Sequence, residues 1–470
     1  MMMDQILPQP PLLYTAPVTR ILSRPAISTL VLLSLLLFQR CKQTTDPVKP
    51  QSQTVESFNA DVALKWSDLH LRLIRTSPGF TPPVAARTFG YAGVTLYEAL
   101  VPGMTGHRSL VGQLQGLTQL PQPETGKAYH WALSANAAQA SILRNLFANT
   151  PTANKTRIDS LENALLTTFK DKNNEINERS ISFGRSIAQA VFEWSKSDGG
   201  HEGYNRNFPA DFKVPSFPGS WQPTENGRQI PMQPYWGNNR LFLAANGNLP
   251  MPQPLEASTD LKSQYFAQYL EVYTKNKALT QAEKEIAVWW ADDPSETFTP
   301  PGHSYNLGRI AIKASKANLA KAAETLARTG ITVADAFTLC WKCKYKFFNE
   351  RPYTFVRRAI DPAWVPFWPA PPFPGYTSGH ATQSAAAATV LADLYGNNFA
   401  FTDDSHVGRA RDVQRNVDFK ARAYDSFWEA AEESARSRFL GGIHTRQDNE
   451  IGLVEGRKIG RNINTLSWRR

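Results

Sequence analysis

The chain of 470 residues contains only three cysteines, Cys41, Cys340 and Cys343. Three cysteines cannot build the disulfide framework that stabilises small secreted domains. Cys340 and Cys343 have a spacing typical of redox or metal sites, but the sequence holds no second pair to complete a zinc site. We therefore interpret both as small buried side chains on a helix.

The sequence also lacks clusters of basic residues, although positive charge is in excess. Its 51 Lys and Arg residues outnumber its 41 Asp and Glu residues, which gives a formal net charge of +10. The positive charges are scattered, with no basic run and no recognisable nucleic-acid motif. This balance favours attraction to anions, and we expect no nucleic-acid partner.

Long hydrophobic runs are missing as well. One apolar run, residues 26–38, is too short to span a bilayer comfortably, and no other stretch approaches that role. Two arginines precede the run and Cys41 follows it, a pattern that resembles a bacterial lipoprotein signal. Gln39 and Arg40 replace the usual small residues, so an ordinary signal peptide or an uncleaved anchor also fits. We expect an exported protein, periplasmic or outer-membrane lipoprotein-like, that touches a membrane only through this N-terminal anchor.

Alternating apolar and polar residues, which would indicate strands, are scarce, and helical periodicity dominates. We divide the sequence into a signal or lipoprotein-type segment at 1–41, a polar linker at 42–55, an N-terminal helical half at 56–197, an irregular crossover at 198–257 and a C-terminal helical domain at 258–470. In the last of these, helices are predicted near 258–278, 281–292, 305–328, 332–350, 379–395, 417–440 and 447–463. The sequence thus predicts an all-α protein, a large helical domain of packed helix bundles.

Three short blocks in the second half carry the candidate chemistry. The first, Cys340–Pro352, holds Lys344 and Arg351 seven positions apart, so both heads can leave one face of a helix. Pro352 disfavours helical geometry at Arg351, which predicts a helix end there. Taken alone, the block is also compatible with a solvated basic face.

The second block, residues 371–396, is a proline-rich loop followed by an alanine-rich helix. Ser378 is a natural N-cap for that helix. Gly379 and His380 would then present N–H groups at the positive end of the helix dipole, where an anion can approach the glycine closely. Taken alone, the block is also compatible with a plain N-cap beside an incidental histidine.

The third block, Ser434–Asp448, reads "SARSRFLGGIHTRQD". A helix break at Gly441-Gly442 could turn Arg438 and His444 toward one point. Asp448, about one helical turn after His444, can accept a hydrogen bond from the imidazole and fix its tautomer. The three blocks together provide a donor set suited to a tetrahedral oxyanion.

The order and spacing of the blocks resemble the three-part signature of the type 2 phosphatidic acid phosphatase and vanadium-dependent haloperoxidase superfamily. The matching residues are Lys344, Arg351 and Pro352, then Ser378, Gly379 and His380, then Ser437, Arg438, His444 and Asp448. Thr377 stands where the family usually has proline. The long helical first half is similar to that of haloperoxidases, so the resemblance implies a vanadium chloroperoxidase-like fold.

The resemblance also implies vanadate as the cofactor, with His444 as its only covalent ligand. The implied oxyanion-binding residues are Lys344, Arg351, Ser378, Gly379 and Arg438. His380 would transfer protons, and Lys344 would polarise hydrogen peroxide. The partners would be peroxide, halide and small organic acceptors, with hypohalous acid as the product.

Four further residues are assigned around the oxyanion. Phe373 and Trp341 occupy positions similar to those of aromatic residues that flank it in chloroperoxidase-type and iodoperoxidase-type members. Asp293, in "WWADD", is similar to the carboxylate that supports the Arg of the third block, here Arg438, and Asp448 supports His444.

Two questions stay open in the sequence. Phosphate can occupy the same site, so a phosphomonoester phosphatase working through a phosphohistidine at His444 is the alternative activity. His303 could line the mouth of the pocket. The remaining histidines have no ligand-spaced partner; they are His70, His107, His130, His201 and His406.

Overall fold

Thirteen α-helices form nearly all the regular structure of residues 52–225 and 227–470, the part of the chain that the computed structural model describes. The first half contains α1 (Asp61–Thr76), α2 (Pro82–Glu98), α3 (Trp131–Leu146), α4 (Thr152–Phe169) and α5 (Asn174–Lys196). The second half contains α6 (Gln264–Lys277), α7 (Gln281–Trp289), α8 (Thr299–Ala314), α9 (Leu319–Phe347), α10 (Pro352–Ala359), α11 (Gly379–Tyr395), α12 (Phe427–Leu440) and α13 (Arg446–Asn464). One antiparallel hairpin joins β1 (Phe401–Asp403) to β2 (Arg422–Tyr424). The all-α prediction is confirmed.

The long helix α9 is the central element of the fold. Most of its residues are buried on every side, because α2, α8 and α11 pack around it. Its last turn carries Lys344, which is fully buried. The site is therefore built on a rigid element whose orientation both halves of the protein determine.

Helices α11 and α13 approach each other closely through glycines of α13 spaced four residues apart, Gly452, Gly456 and Gly460. A Cβ added at Gly456 would lie 2.1 Å from the Thr382 carbonyl oxygen of α11, a distance that no side chain can accept. Glycine at this face lets the two backbones touch. The starts of α11 and α13, which carry the second and third sequence blocks, are thereby held side by side.

The helix boundaries differ from the predicted ones in the second half. The break between α8 and α9 lies at residues 315–318 rather than near 330, because Asn318 caps α9 by accepting a hydrogen bond from the Lys321 N–H (3.0 Å). Residues 422–424 form β2, and α12 begins only after its cap Ser426. Helix α9 ends at Phe347, and Arg351 is the N-cap residue of the short helix α10.

Between α5 and α6 the described chain contains no α-helix, only short 3-10 turns at Gly203–Asn205, Trp236–Asn238 and Ala244–Asn248. This crossover packs against the site. Its Met232 carbonyl accepts hydrogen bonds from Trp341 Nε1 (3.2 Å) and from the Tyr345 hydroxyl (2.6 Å). The main hydrophobic cluster contains residues from both halves, from Val55 to Trp468.

The predicted signal segment, with Cys41, lies outside the described residues, as does most of the linker at 42–55. Within residues 52–225 and 227–470, no helix is long and apolar enough to cross a membrane. Cys340 and Cys343 are both buried and free, as predicted for small side chains on a helix.

Candidate oxyanion site

A cavity of about 270 Å³ lies where the starts of α11 and α13 meet the end of α12. Its lining combines apolar residues with a few polar groups, the usual composition of a small-molecule site. The predicted site residues in this lining are Asp293, Trp341, Phe373, Gly379, His380, Arg438 and His444. Lys344, Arg351, Ser378 and Asp448 are buried immediately behind the lining.

The Lys344 ammonium is held entirely by backbone oxygens. Its Nζ donates to the carbonyls of Pro374 (2.9 Å), Gly375 (2.7 Å) and Thr377 (2.6 Å). Burial lowers the Lys344 pKa to about 8, and the positive charge of Arg351 acts in the same direction. Neutral carbonyls orient this cation without cancelling its charge.

The two arginines are held in the same way. Arg351 donates from Nε to the Phe373 carbonyl (2.7 Å) and from Nη1 to the Ile443 carbonyl (2.8 Å). Arg438 donates from Nη1 to the Trp290 carbonyl (3.1 Å), and its buried Nε has no partner in the described structure. Burial lowers the pKa of Arg351 to about 9 and that of Arg438 to about 10.

His444 is oriented by the first turn of α13. Its Nδ1 lies 2.9 Å from Asp448 Oδ2, which also accepts the Thr445 N–H (3.1 Å). Thr445 in turn caps the helix by accepting the Asp448 N–H (3.2 Å). Because the Nδ1–H of His444 donates its hydrogen bond to Asp448, Nε2 is left as the unprotonated nitrogen, 3.3 Å from Arg351 Nη1.

The protonation state of His444 follows from its surroundings. Burial and the three nearby cations hold its pKa well below the usual value, with burial the largest cause. The imidazole is therefore neutral near pH 7 and keeps a lone pair on Nε2. This is the form that binds a metal centre.

The start of α11 provides the second polar wall. Ser378 is the N-cap as predicted, since its Oγ accepts the Ala381 N–H (3.4 Å), and its own N–H donates to the Asp448 carbonyl (2.9 Å). A Cβ at Gly379 would lie 3.6 Å from Trp341 and 3.8 Å from Phe337, which are ordinary contact distances, so Gly379 borders the aromatic wall of the cavity without crowding it. His380 Nε2 is buried and has no hydrogen-bond partner in residues 52–225 and 227–470.

The two aromatic residues assigned from the sequence contact the cations. The Phe373 ring centre lies 5.3 Å from Lys344 Nζ and 4.9 Å from Arg351 Cζ. Trp341 packs against Phe373 with ring centres 5.0 Å apart. These rings shield the cations from water while still attracting them through their π faces.

Asp293 lies in the lining near Arg438, but the two side chains form no direct hydrogen bond among the described contacts. Burial raises the Asp293 pKa, and the charge of Arg438 opposes that rise. Asp293 and Arg438 are therefore close enough to interact through their charges, although they form no hydrogen bond among the described contacts.

A second polar cluster next to the cavity has no counterpart in the sequence prediction. His303 is fully buried, with Nδ1 2.8 Å from Asp292 Oδ2 and Nε2 2.7 Å from Asp403 Oδ2. His406 Nε2 lies 2.9 Å from Asp292 Oδ1. His303 is absent from the cavity lining, so the possibility that it lines the pocket mouth is not confirmed, and His406 has a hydrogen-bond partner that sequence spacing did not reveal. Because more than a hundred residues separate Asp292 from Asp403, sequence spacing could not show this cluster.

Comparison with known proteins identifies the family. A family model of the VCPO second helical-bundle domain matches residues 324–468, which contain all three blocks. This chain is similar to a protein whose crystal structure is described as that of the first bacterial vanadium-dependent iodoperoxidase. The two sequences are 31% identical, the match covers 87% of this chain and 96% of that chain, and the structures superimpose with a TM-score of 0.76. The chain belongs to the vanadium-dependent haloperoxidase family.

Two more distant members of the vanadium-dependent haloperoxidases are also similar. Vanadium chloroperoxidase from Curvularia inaequalis is 24% identical over 85% of this chain and 81% of that protein. A bacterial vanadium-dependent chloroperoxidase in its holo form shares the fold at 14% identity, with 83% of this chain and 92% of that chain covered and a TM-score of 0.64. The protein is thus a vanadium haloperoxidase with an all-α architecture.

The family implies vanadate as the cofactor, and the side chains around the cavity fit such an anion. Arg438 Nε and His380 Nε2 are buried polar atoms without a hydrogen-bond partner among the described residues, and both side chains line the cavity. Lys344, Arg351 and Arg438 all act on the neutral His444, and none of them forms a salt bridge with a carboxylate of the described residues. An oxyanion at this position would satisfy both the unpaired donor and the excess charge.

Proposed function

We propose that this haloperoxidase oxidises halide with hydrogen peroxide to hypohalous acid, using vanadate held at His444 Nε2. The observation that supports the proposal is the neutral imidazole beside Lys344, Arg351 and Arg438, all buried and none in a salt bridge with a carboxylate of the described residues. Such preorganised donors stabilise negative charge strongly in a site that excludes water.

Each polar group has a separate task in this proposal. Lys344, Arg351 and Arg438 neutralise the anion, while the Gly379 N–H at the start of α11 binds it through the helix dipole. Asp448 keeps His444 in the ligating tautomer. Vanadate, when bound, supplies Lewis-acid activation of peroxide without changing its own oxidation state.

His380 is assigned the proton transfers. The overall reaction consumes one halide, one peroxide and one proton, and it releases hypohalous acid and water. Burial, with a contribution from Arg438, keeps the His380 pKa well below its usual value, so its free Nε2 can accept a proton from peroxide. The protonated imidazole can then return that proton to the leaving oxygen.

The apolar part of the cavity suits the halide and the organic acceptor. Phe337, Trp341, Phe373 and prolines on either side cover most of the wall, and about 270 Å³ remains free. A weakly hydrated anion can enter such a space at small cost, because the nearby cations compensate its charge. The same wall limits the water that would compete for the oxidant.

A halide panel tests the proposal. Purified protein is stripped of bound oxyanions, loaded with vanadate and given peroxide with iodide, bromide or chloride, and halogenation of an organic acceptor is followed. We expect vanadate-dependent turnover with at least one halide, inhibited competitively by phosphate. Hydrolysis of p-nitrophenyl phosphate without any halide oxidation would instead support the phosphatase alternative.

We also propose that the protein is exported and tethered through its N-terminal segment. The apolar run at residues 26–38 and Cys41 support this assignment. Cell fractionation combined with determination of the mature N-terminus tests it. Cytoplasmic protein that retains Met1 would contradict export.

A further inference from the structure

The cluster of Asp292, His303, Asp403 and His406 concentrates four ionisable side chains in the protein interior. Asp292 follows α7, His303 lies in the first turns of α8, and Asp403 ends β1 just before His406. Their exposed fractions are at most 2%. Buried charges on this scale persist only when they are paired and hydrogen-bonded, so the cluster stabilises a specific arrangement of these segments.

The contacts define the charge state of the cluster. Both ring nitrogens of His303 face carboxylate oxygens, which requires a proton on each nitrogen and therefore an imidazolium. Asp403 also accepts Trp289 Nε1 (3.0 Å) and the Ser405 N–H (3.0 Å). The carboxylates raise the His303 pKa to about 10 against the effect of burial.

The ligand atoms of Asp292, His303 and His406 lie within 4.8 Å of one another, and the His–Asp distances match hydrogen bonds. The three His–Asp contacts are 2.7 to 2.9 Å, as expected for charged hydrogen bonds. Two ligand atoms placed tetrahedrally about 2.1 Å from a zinc ion would lie roughly 3.4 Å apart. The cluster is therefore closed by its own hydrogen bonds.

One side of the cluster is directly connected to the oxyanion site. The Trp290 ring stacks on His303, with ring centres 4.3 Å apart and planes at 22°. The carbonyl of the same Trp290 accepts the hydrogen bond from Arg438 Nη1 (3.1 Å). Asp292, two positions later, has a left-handed φ of +52°, a strained conformation for aspartate that its bonds to two histidines hold in place.

We infer that His303 is a positioning residue for the oxyanion site. As an imidazolium clamped between Asp292 and Asp403, it fixes the segment 290–293, which orients Arg438 through the Trp290 carbonyl. The segment also carries Asp293, which lines the cavity. The inference uses vanadate as the expected ligand and so rests on the proposed function, but it concerns oxyanion binding and not turnover.

The test compares His303→Gln with His107→Gln in the full chain. His107 is a matched control because it is also buried and lies 3.5 Å from the carboxylate of Glu324, which is about 30 Å from Lys344 along α9. Vanadate and, separately, inorganic phosphate are titrated into both variants by calorimetry, and thermal unfolding is recorded. Neither titration needs halide or peroxide, so absence of haloperoxidase turnover would leave this test intact.

We expect His303→Gln to weaken vanadate and phosphate binding by about tenfold or more, while His107→Gln changes each by less than about twofold. Parent-like affinity in His303→Gln would overturn the inference, even if the variant were less stable or turned over more slowly. If His303→Gln does not fold, the same titrations are made with Asp403→Asn. This substitution keeps the shape of the side chain and removes one of the two carboxylate charges that face His303. A roughly threefold loss of oxyanion affinity in Asp403→Asn supports the clamp, and unchanged affinity contradicts it. A stoichiometric divalent cation bound at the cluster, removable by a chelator, would also overturn the inference.

Discussion

Two buried polar clusters lie side by side in this protein and compensate their charges in opposite ways. In the cluster around His303, both hydrogen bonds of the imidazole are to carboxylates. In the oxyanion site, Lys344 and Arg351 bond to backbone carbonyls instead. The positive charge of His303 is therefore compensated within its own cluster, whereas the positive charges of the oxyanion site remain available for a ligand.

The pKa shifts make the same distinction. Carboxylates raise the pKa of His303 to about 10, whereas burial among cations holds that of His444 well below its usual value. Both side chains are almost fully buried, so burial alone cannot explain the difference. The balance of neighbouring charges differs, because His303 lies between two carboxylates, whereas His444 has one carboxylate partner and three cations nearby.

The largest expected effect is that of His444→Ala, which removes the proposed ligand. Vanadate affinity should fall by more than the roughly 10–100-fold that loss of an outer hydrogen-bond partner causes. In Asp448→Asn, which keeps His444 but disturbs its tautomer, the loss of vanadate affinity should lie within that smaller range. Calorimetric titration of both variants measures the two losses of vanadate affinity. Equal losses would contradict the assignment of His444 as the ligand and of Asp448 as the residue that orients it.

His380→Ala should separate proton transfer from binding. Because its Nε2 is free and its pKa is depressed, we expect turnover to fall by about a hundredfold or more, the usual scale for a general acid–base group. Vanadate affinity should stay close to that of the parent. Halogenation rates and a vanadate titration on the same preparation check both statements; parallel losses would assign His380 to binding.

Lys344→Met should show how much an uncompensated cation contributes. Loss of one charged donor should weaken vanadate binding by about tenfold or more. Since the Lys344 pKa in the anion-free protein is about 8, the parent should lose affinity as pH rises through 8, when this amine becomes neutral. Titrations between pH 6.5 and 9.5 should show that additional fall in the parent and not in Lys344→Met. Identical pH profiles would contradict the assignment.

The closed cluster should show its charge in the stability of the protein. A histidine whose pKa is raised from 6.5 to about 10 contributes stability that is complete below 6.5 and is lost as pH rises through 10. His303→Gln should therefore be less stable by roughly 3–5 kcal/mol near pH 6.5. The difference should narrow toward pH 10. Urea unfolding of both proteins at the two pH values measures it, and a constant difference would argue against an imidazolium.

The sequence predicted the parts of the site that depend on local chemistry. The capping role of Ser378 and the pairing of His444 with Asp448 follow from spacing within one helix turn, and both are present. The break at Gly441-Gly442 also ends α12 as expected. These features required no knowledge of tertiary structure.

Features built from distant segments could not be predicted in this way. The cluster around His303 includes Asp403, the last residue of strand β1. The sequence does not predict this strand, because its three residues give almost no periodic signal. Met232, in the irregular crossover, reaches the cavity only because its backbone pairs with Pro372 and Trp341. Tertiary packing, rather than local propensity, places these residues.

Vanadate binding at His444 is the feature on which the proposed function depends. A crystal structure of the protein soaked in vanadate tests it most directly, with a second soak in phosphate to show whether the same position takes both anions. The account predicts vanadium bonded to His444 Nε2, with Lys344, Arg351 and Arg438 around its oxygens. Vanadium bound to His380, located in the His303 cluster, or absent from the cavity at saturating concentration would contradict it.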